Sequence, residues 1–562
     1  MPKFASLLQQ VTNALRYLAR GDVSGLMKRL KWYGREYRHA ILRKRLANGS
    51  GIVWGILCTP HTLFIARTIA ERLASHGIES EIVTGTVRSF PHDFYIVLCA
   101  QMFKRLPPAD KRVIFQLEQT VSSRWFTPQY MKILKESLGV LDYSLTNIEF
   151  LAKNGLQYPN VHYLPIGASL DESASVGKRP TKYDFVFYGD SLSSSRRQKF
   201  LEELQKVYSV KICNDLFGEE LYAVIREAKV VINIHYYDDA LLEMPRICEC
   251  ISLGVPVLSE GTLDHCEYPE LKGAVKFFEE GSIESMMASA EEMLDDLEVV
   301  GEALEAAVST SAMRFRFMMD RFLTAIGAIS ADSILRQPIY VAERSDFYAL
   351  SLPETIDRRR AIVRTLPGGC ELFDGIRHSL GWIGCGASFN ALSRYAIANT
   401  LNRLSVIEDD VDLPEDFDHI FSEINKYLDT RESNWDIFSG MMADVHPEAR
   451  VLSVDCIDGR KYVTLNKMTS TVFNIYNRSA LKLLSQWDPN NTDAVRNTID
   501  RYLEGKENLR VIVTLPFIAG HKEEVTSTLW GFENGRYTPM IAAAERKIEA
   551  LVQEWNRTHT VI

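Results

Sequence analysis

Three consecutive acidic residues, Glu408, Asp409 and Asp410, follow the apolar run LSVI and precede a turn that contains Pro414. Adjacent carboxylates repel one another unless a cation compensates their charge, and hard oxygen ligands favour Mg²⁺ or Mn²⁺. A divalent cation at such a site can bind the two phosphates of a nucleoside diphosphate and stabilise the charge that builds up when that group leaves. A solvated acidic loop would account for the same three residues if they stood alone.

A second group of residues suited to phosphate chemistry lies nearer the middle of the chain. The run YDFVFYGD predicts a strand that ends at Gly189, and SLSSSRRQKFLEEL predicts a serine-capped helix with Arg196 and Arg197 in its first turns. A tight turn before a helix N-terminus suits a phosphate because free backbone N–H groups and the helix dipole favour an anion there. A plain capped helix would show the same pattern.

The elements that must position these residues alternate between strands and helices. A chain of 562 residues is too long for one core and predicts three or four folding units. From residue 51 to about 330, short β-rich runs alternate with amphipathic helical ones, which is typical of doubly wound parallel sheets. A polar stretch divides this part into halves at 51–168 and 169–335. The strand DFYALSL begins another α/β unit, predicted over 340–535, and a C-terminal helix or tail is predicted over 536–562.

Residues 230–261 resemble the donor-binding half of GT-B glycosyltransferases of the family 4 and CgeB type. A strand, an acidic helix and the turn in LGVPVLSE follow one another in that order. The resemblance implies that Glu249 binds the ribose hydroxyls of a nucleotide sugar and that Arg246 contacts its diphosphate, with no cofactor expected in this part. Glu243 is also a donor-binding candidate, but it stands closer to Glu249 than in a well-known version of the motif. The remaining donor-binding candidates of this half are Gly189, Arg196 and Arg197.

The segments around the carboxylate triplet resemble glycosyltransferase family 25, the lipopolysaccharide and collagen galactosyltransferase family with a GT-A fold. The segments in the family's order are SLPETIDRRRAIVRTL, LGWIGCGASFNALSRYAIAN, VIEDDV, WDIFSGM, TSTVFNIYNRSALKLL, TIDRYL and LPFIAGHKEEVTST. The chain departs from the family at Phe389, where His commonly follows the residue equivalent to Ser388. A contact made by that imidazole therefore cannot exist here.

This resemblance implies a role for each residue of the triplet. Glu408 and Asp410 match the outer carboxylates of an Asp-x-Asp type motif. Asp410 is expected to bind Mn²⁺ or Mg²⁺, and Glu408 to contact the donor ribose, or the metal through water. Asp409, also a donor-site residue, is expected to orient the loop.

Four further residues take roles from the same resemblance. Arg358 and Arg359 are expected to lie near the nucleotide, with surface salt bridges as the alternative. Asp500 is the candidate general base, because direct displacement at the sugar carbon needs a group that takes the proton of the acceptor. His521 is a candidate third metal ligand, with a purely structural histidine as the alternative.

The charge of the chain is unevenly distributed. Residues 1–48 contain eleven Lys or Arg against Asp22 and Glu36, whereas the whole chain has a net charge of −9. This segment, predicted as helical over 1–50, mixes aromatic and aliphatic residues with the cations. It therefore suits the surface of an anionic membrane, and a solvated helix packed on the next domain is the alternative. Nucleic acid is not an expected partner because the rest of the chain is acidic.

The sequence also indicates a compartment. It contains no apolar run of about 18 residues and no signal-peptide core. Its nine cysteines include no CxxC pair, which fits a reducing compartment better than a disulfide framework. We therefore expect a cytoplasmic protein, peripheral at the inner face of the membrane if the basic segment binds there.

Together these patterns predict a bifunctional glycosyltransferase. It would transfer sugars from nucleotide-diphospho sugars, UDP-sugars first among them, to a glycan or lipid-linked acceptor in bacterial lipopolysaccharide or capsule synthesis. The alternative is one active family 25-like galactosyltransferase joined to a non-catalytic GT-B-like binding or scaffold module. A metal-dependent phosphohydrolase is disfavoured, because the sequence around the triplet lacks the additional carboxylate or histidine cluster of a two-metal site.

Overall fold

A computed structural model describes residues 52–559 except 86, 122–123, 175–180, 432–433, 458 and 529–532, together with Val23 and Met27. The basic segment predicted over residues 1–50 lies, apart from those two residues, outside the described part. All nine cysteines are free thiols. Among the described helices, none combines the length and the apolar character needed to cross a membrane.

The first unit is a six-stranded parallel sheet with the strand order β2-β1-β3-β4-β5-β6. Its strands are β1 Trp54–Cys58, β2 Ser80–Thr84, β3 Phe94–Leu98, β4 Arg112–Gln116, β5 Gly139–Asp142 and β6 Val161–Tyr163. Its helices are α1 Leu63–Ser75, α2 Pro128–Glu136, α3 Leu145–Lys153 and the short α4 Leu170–Ala174. Strands β1, β3, β4 and β5 are buried along their whole length, because helices cover both faces of a parallel sheet.

The second unit is a five-stranded parallel sheet with the order β11-β10-β9-β7-β8. Its strands are β7 Tyr183–Tyr188, β8 Val210–Cys213, β9 Ala228–Asn233, β10 Val257–Glu260 and β11 Val275–Phe278. Its helices are α5 Ser195–Gln205, α6 Gly218–Ile225, α7 Met244–Ser252 and α8 Ile283–Asp295. The prediction of two Rossmann-like halves is confirmed. The order reverses direction between β7 and β9, where open parallel sheets bind ligands at the carboxyl ends of the strands.

A long helix, α9 Leu297–Ile326, joins the second unit back to the first and ends at Gly327, which has φ +78°. Asp320 accepts hydrogen bonds from Arg72 and lies 2.8 Å from the Nε2 atom of His76, both from the first unit. The short helix α10 Ala331–Leu335 then leads to the third unit. The two Rossmann-like units are therefore bound together by an element that follows both in sequence.

The third unit is an eight-stranded mixed sheet with the order β13-β12-β14-β19-β16-β20-β18-β17, joined by a two-stranded sheet of β15 and β21. Its strands are β12 Phe347–Ser351, β13 Glu371–Asp374, β14 Arg403–Glu408, β15 Val411–Asp412, β16 Ile437–Ser439, β17 Val451–Ile457, β18 Arg460–Leu465, β19 Phe473–Asn477, β20 Val511–Leu515 and β21 Gly520–His521. Its helices are α11 Ile356–Val363, α12 Gly381–Ala398, α13 Phe417–Thr430, α14 Arg478–Ser485, α15 Ala494–Asn497, α16 Ile499–Glu504 and α17 Thr538–His559. Helix α17 lies in the segment 536–562, predicted as a C-terminal helix or tail, and packs against β17 and β21 of this unit.

Candidate functional sites

In the third unit, three parallel strands end together at one edge of the sheet. Strand β12 lies between β13 and β14, with Leu350 opposite Glu408 and Ser351 opposite Asp374. The strand order reverses between β12 and β14, so a crevice is expected at their carboxyl ends. A cavity with an empty volume of about 700 Å³, open solvent included, lies there. Its lining includes Tyr158, Ser351, Thr355, Arg358, Arg377, His378, Cys385, Glu408, Asp409, Asp410 and Ser527.

The carboxylates of the triplet have defined partners at this edge, and Asp409 and Asp410 share one of them, Arg358. Asp409 accepts hydrogen bonds from the Ser351 hydroxyl at 2.8 Å and from Nε of Arg358 at 2.9 Å. Asp410 lies 3.1 Å from Nη2 of Arg358, through its Oδ2 atom. Glu408 accepts a hydrogen bond of 2.7 Å from the Thr471 hydroxyl. The guanidinium group of Arg358 thus contacts two of the three carboxylates.

The positive charge around the triplet is too small to balance three ionised carboxylates. Burial, followed by the neighbouring charge of Asp410, raises the pKa of Glu408 to about 7. Burial also raises the pKa of Asp409, although Arg358 acts in the opposite direction. Because Arg358 supplies one positive charge to three carboxylates, a further cation would lower the electrostatic cost of the site.

The short pairing of β15 with β21 brings His521 beside Asp410. The Nδ1 atom of His521 lies 3.8 Å from Oδ1 of Asp410, and neither buried atom has a hydrogen-bond partner among the described residues. Asn534 donates a hydrogen bond of 2.9 Å to the other oxygen, Oδ2, of Asp410. The ring of His521 stacks on Tyr537, with 4.8 Å between the ring centroids.

Two orphaned ligand atoms that face each other at this distance fit a divalent cation bound between them. In the part of the chain that the structure describes, no group of three or more His, Cys, Asp or Glu is placed to hold a metal ion. Asp410 and His521 would therefore be the protein ligands of a cation bound here. The remaining positions would fall to water and to phosphate oxygens of a ligand.

The other residues predicted for the third unit lie around this cavity at different depths. Arg359 pairs with Asp374 at 2.8 Å and is not among the residues that line the cavity. Asp500 is half-buried at the start of α16 and is not among the residues that line the cavity. Its charge contributes, after burial and Glu408, to raising the pKa of the cavity residue Cys385. Asp500 is thus close enough to act electrostatically on the cavity wall.

A second candidate site lies where the strand order of the second unit reverses, between β7 and β9. Gly189 follows β7 with φ +120°, and a Cβ atom there would lie 2.9 Å from Nη2 of Arg246. Glu243 stands between two guanidinium groups, at 3.0 Å from Arg197 and 3.0 Å from Arg246. Burial opposes the ionisation of Glu243, but Arg246 and Arg197 outweigh it and lower its pKa. This ion cluster brings together residues that the sequence placed on two separate elements.

The second site also includes Arg196, His235 and Glu249. Arg196 pairs with Asp238 at 3.0 Å and forms a hydrogen bond of 2.5 Å with Glu260, whereas its Nη2 atom is buried without a hydrogen-bond partner among the described residues. Both ring nitrogens of the fully buried His235 likewise have no hydrogen-bond partner among the described residues. Glu249 lies further along α7 and accepts a hydrogen bond of 2.8 Å from the Tyr188 hydroxyl. Burial raises the pKa of Glu249 to about 7.

Several residues of these sites were missed from sequence alone, namely Tyr158, Tyr188, Ser351, Arg377, Thr471 and Asn534. Asn534 is 124 positions away from Asp410, and Thr471 is 63 away from Glu408. No local pattern connects such pairs, because the fold of the whole unit creates the contacts. Ser351 and Tyr188 do stand in segments predicted as strands, DFYALSL and YDFVFYGD, but which strands these would neighbour was not predicted.

Comparison with known proteins gives limited similarity. No family model matches the chain. The uncharacterised protein L140 of Acanthamoeba polyphaga mimivirus is 28% identical over 162 residues, which span 27% of this chain and 51% of that protein.

Similar solved structures include an alpha-glucosyltransferase in complex with UDP-glucose and DNA containing an abasic site, with 10% identity, a TM-score of 0.34 and coverage of 47% of this chain and 95% of that one. Sucrose-phosphate synthase from Thermosynechococcus elongatus has 11% identity, a TM-score of 0.34 and coverage of 48% and 98%. The Anabaena protein HepE, solved with UDP, has 10% identity, a TM-score of 0.31 and coverage of 47% and 96%. Because these TM-scores are low, the proposals below rest on the residues of this chain.

Proposed function

We propose that this protein is a glycosyltransferase with two nucleotide-sugar sites, one at each of the two sheet edges described above. The observation that carries the proposal is the cavity of the third unit, where three carboxylates, Arg358 and the orphaned pair of Asp410 and His521 meet. Such a cavity suits a diphosphate with a divalent cation, because it combines fixed cationic and metal-binding groups with an opening to solvent. The mixed sheet with this site at its β12/β14 crevice also supports a GT-A type unit of the family 25 kind.

In the third unit, we assign a separate role to each side chain of the site. Asp410 and His521 would hold Mn²⁺ or Mg²⁺, which when bound neutralises charge on the departing nucleoside diphosphate. Arg358 fixes the positions of Asp409 and Asp410, and Thr471 orients Glu408 toward the donor ribose. Asp500 is proposed as the general base that takes the proton of the acceptor hydroxyl.

In the second unit, the ion cluster is proposed to bind the diphosphate of a second donor without a metal. The absence of a side chain at Gly189 makes room for the guanidinium group of Arg246, and that of Arg197 lies nearby. The neighbouring Arg196 adds a buried Nη2 atom for which the described residues provide no hydrogen-bond partner. Glu249 is proposed to accept hydrogen bonds from the ribose hydroxyls, in exchange for the one from Tyr188.

The second candidate function is a glycosyltransferase with a single active site, in the third unit, and one observation favours it. In the second unit, three carboxylates already pair with the three guanidinium groups: Glu243 with Arg197 and Arg246, and Glu260 and Asp238 with Arg196. An anion would have to compete with these carboxylates for the guanidinium groups. In that case the first two units would bind or present the acceptor, and the third unit alone would transfer a sugar.

The acceptor and its setting are proposed from charge and composition. A glycan or lipid-linked acceptor in bacterial lipopolysaccharide or capsule synthesis is consistent with two transfers in succession. The product of one site would then reach the other at a high effective concentration. The cationic segment before residue 50 would hold the enzyme at the cytoplasmic face of an anionic membrane.

The test is a donor screen on the purified full-length protein with UDP-, GDP-, CMP- and dTDP-sugars, with and without Mn²⁺. We expect two donors to be consumed. Asp410→Asn should reduce only the Mn²⁺-dependent reaction, by about a hundredfold or more, because electrostatic stabilisation of the leaving group is lost. Glu249→Ala should reduce only the other reaction.

Matched controls on exposed carboxylates separate these effects from a general loss of charge. Asp412→Asn changes an exposed residue two positions after the triplet, and Glu220→Ala changes an exposed residue on α6 of the second unit. Both controls should behave as the wild type. If one Mn²⁺-dependent activity is found and Glu249→Ala leaves it intact, the candidate with a single active site is correct. If no donor is consumed, both candidate functions are wrong.

A further inference from the structure

We propose that Tyr158, a residue of the first unit, forms part of the pocket that binds the nucleotide base in the third unit. This inference rests on the function proposed for the third unit and adds which part of the chain recognises the donor. Tyr158 lies between α3 and β6, is half-buried, and is among the residues that line the cavity with the carboxylate triplet.

The order of the strands decides which end of the cavity receives the base. The cavity extends across the carboxyl ends of β14, β12 and β13, which are neighbours in that order. Adjacent strands are about 4.8 Å apart, so the ends of β14 and β13 are separated by about 10 Å. The proposed diphosphate and cation site is at the β14 end. An extended nucleoside diphosphate covers this separation and would therefore place its base near β13.

The β13 end of the cavity is formed by the segment 375–378 and by Tyr158. The guanidinium carbon of Arg377 lies 4.8 Å from the centroid of the Tyr158 ring. Arg377 also donates hydrogen bonds of 2.7 and 2.8 Å to the carbonyl oxygens of Val161 and Pro159, and its Nη1 atom lies 3.3 Å from Oε1 of Glu354. These contacts engage both terminal nitrogens of Arg377, so it positions the ring and does not act as a phosphate ligand.

The chemistry of this end suits a planar base better than another anion. The ring of Tyr158 offers an aromatic surface, and bases stack on aromatic side chains whatever their hydrogen-bonding pattern. Because Tyr158 belongs to the first unit, donor binding in the third unit depends on a contact with a different folding unit. The two candidate sites of the protein would then be linked through the interface between those units.

The test measures Mn²⁺-dependent binding of UDP and of inorganic pyrophosphate to the full-length protein by isothermal titration calorimetry. The binding without Mn²⁺ is subtracted, so that the metal-independent site does not contribute. Tyr158→Leu should weaken UDP binding by about tenfold, because the aromatic contact is lost while apolar bulk is kept. Tyr158→Phe should bind UDP as the wild type does, and pyrophosphate affinity should be unchanged in both variants.

Tyr183→Leu is the matched control, since Tyr183 is a half-buried tyrosine that does not line the cavity. The proposal for Tyr158 is overturned if Tyr158→Leu binds UDP like Tyr183→Leu, or if UDP and pyrophosphate binding weaken equally. Those results would leave the function of the third unit standing. If the wild type shows no Mn²⁺-dependent binding of either probe, the proposed function fails, and the assignment of Tyr158 fails with it.

Discussion

At the scale of single residues, the two candidate sites differ in how far neighbouring guanidinium groups compensate the charge of their buried carboxylates. In the third unit, Arg358 compensates only part of the charge of the triplet, and the pKa of Glu408 is raised to about 7. In the second unit, Glu243 is held ionised by Arg246 and Arg197. This difference explains why we assign a metal to the third unit and none to the second.

Glu249 allows a pH test that does not depend on any ligand. Burial raises its folded-state pKa to about 7, above the ordinary value of 4.5. The folded protein therefore keeps a proton that the unfolded chain releases, and stability falls as the pH rises from about 4.5 to 7. We expect Glu249→Gln to lose less stability than the wild type between pH 5 and pH 8, measured by urea unfolding. Equal losses in the two proteins would show that Glu249 ionises normally in the folded state.

At the scale of elements, helix α9 determines how the first two units are held together. A Cβ atom on Gly167, in the segment after β6, would lie 2.2 Å from Cβ of Phe315 and 3.0 Å from the carbonyl oxygen of Ser311. Part of this obstacle is helix backbone, which cannot move aside as a flexible side chain would. The close approach of α9 to the first unit therefore requires glycine at this position.

Two glycine substitutions test this contact in opposite directions. Gly167→Ala should destabilise the protein by about 1–3 kcal/mol, because the added methyl group overpacks the contact. Gly301→Ala, on an exposed part of the same helix where nothing lies within 4 Å of an added Cβ atom, should stabilise it by about 0.5–1 kcal/mol through helix propensity. Chemical denaturation measures both changes, and a neutral Gly167→Ala would contradict the packing described for α9.

At the scale of the whole molecule, the three units share buried interactions. One continuous cluster of buried apolar side chains includes Ile56 of β1, Val257 of β10 and Val406 of β14. A buried ionic group lies where the units meet: Glu354 of the third unit is 3.2 Å from Arg321 of α9 and 3.3 Å from Arg377, and it accepts a hydrogen bond from the backbone N–H of Tyr163. We infer that the third unit is stabilised by the other two.

Removing Glu354 tests this interface. Burial opposes its ionisation, but Arg321 and Arg377 outweigh burial and lower its pKa to about 2. Glu354→Ala would leave two buried guanidinium groups without their carboxylate, at a cost of about 3–5 kcal/mol. Calorimetry should show a lower unfolding temperature for the whole protein, whereas the exposed control Glu415→Ala should match the wild type. An unchanged unfolding temperature would contradict a stabilising interface.

The pKa of Glu354 also predicts how this interface responds to acid. Because the folded-state pKa lies below the ordinary value of 4.5, the contribution of Glu354 to stability is present above about pH 4.5 and is lost as the pH falls toward 2. Glu354→Gln should therefore lose less stability than the wild type between pH 5 and pH 3. Urea unfolding at the two pH values measures the difference, and parallel losses would contradict it.

The alternation of strands and helices was readable from the sequence because it depends on local patterns. The runs GIVWGILC, DFYIVLCA and VPVLSE predict strands, and the structure has strands at Trp54–Cys58, Phe94–Leu98 and Val257–Glu260. The triplet was likewise predicted to follow a strand, and Glu408 is the last residue of β14. Periodicity and turn residues encode such features within a few positions of the chain.

The composition of the sites, in contrast, was decided by the tertiary structure. The pairing of β15 with β21 places His521 next to Asp410, and the same fold brings Asn534 to the same carboxylate. The contact between Tyr158 and Arg377 joins two folding units across one cavity. Long-range pairing and packing between units leave no periodic signal in a single sequence. The sequence therefore determined the elements and the candidate residues, and the fold determined which of those residues meet.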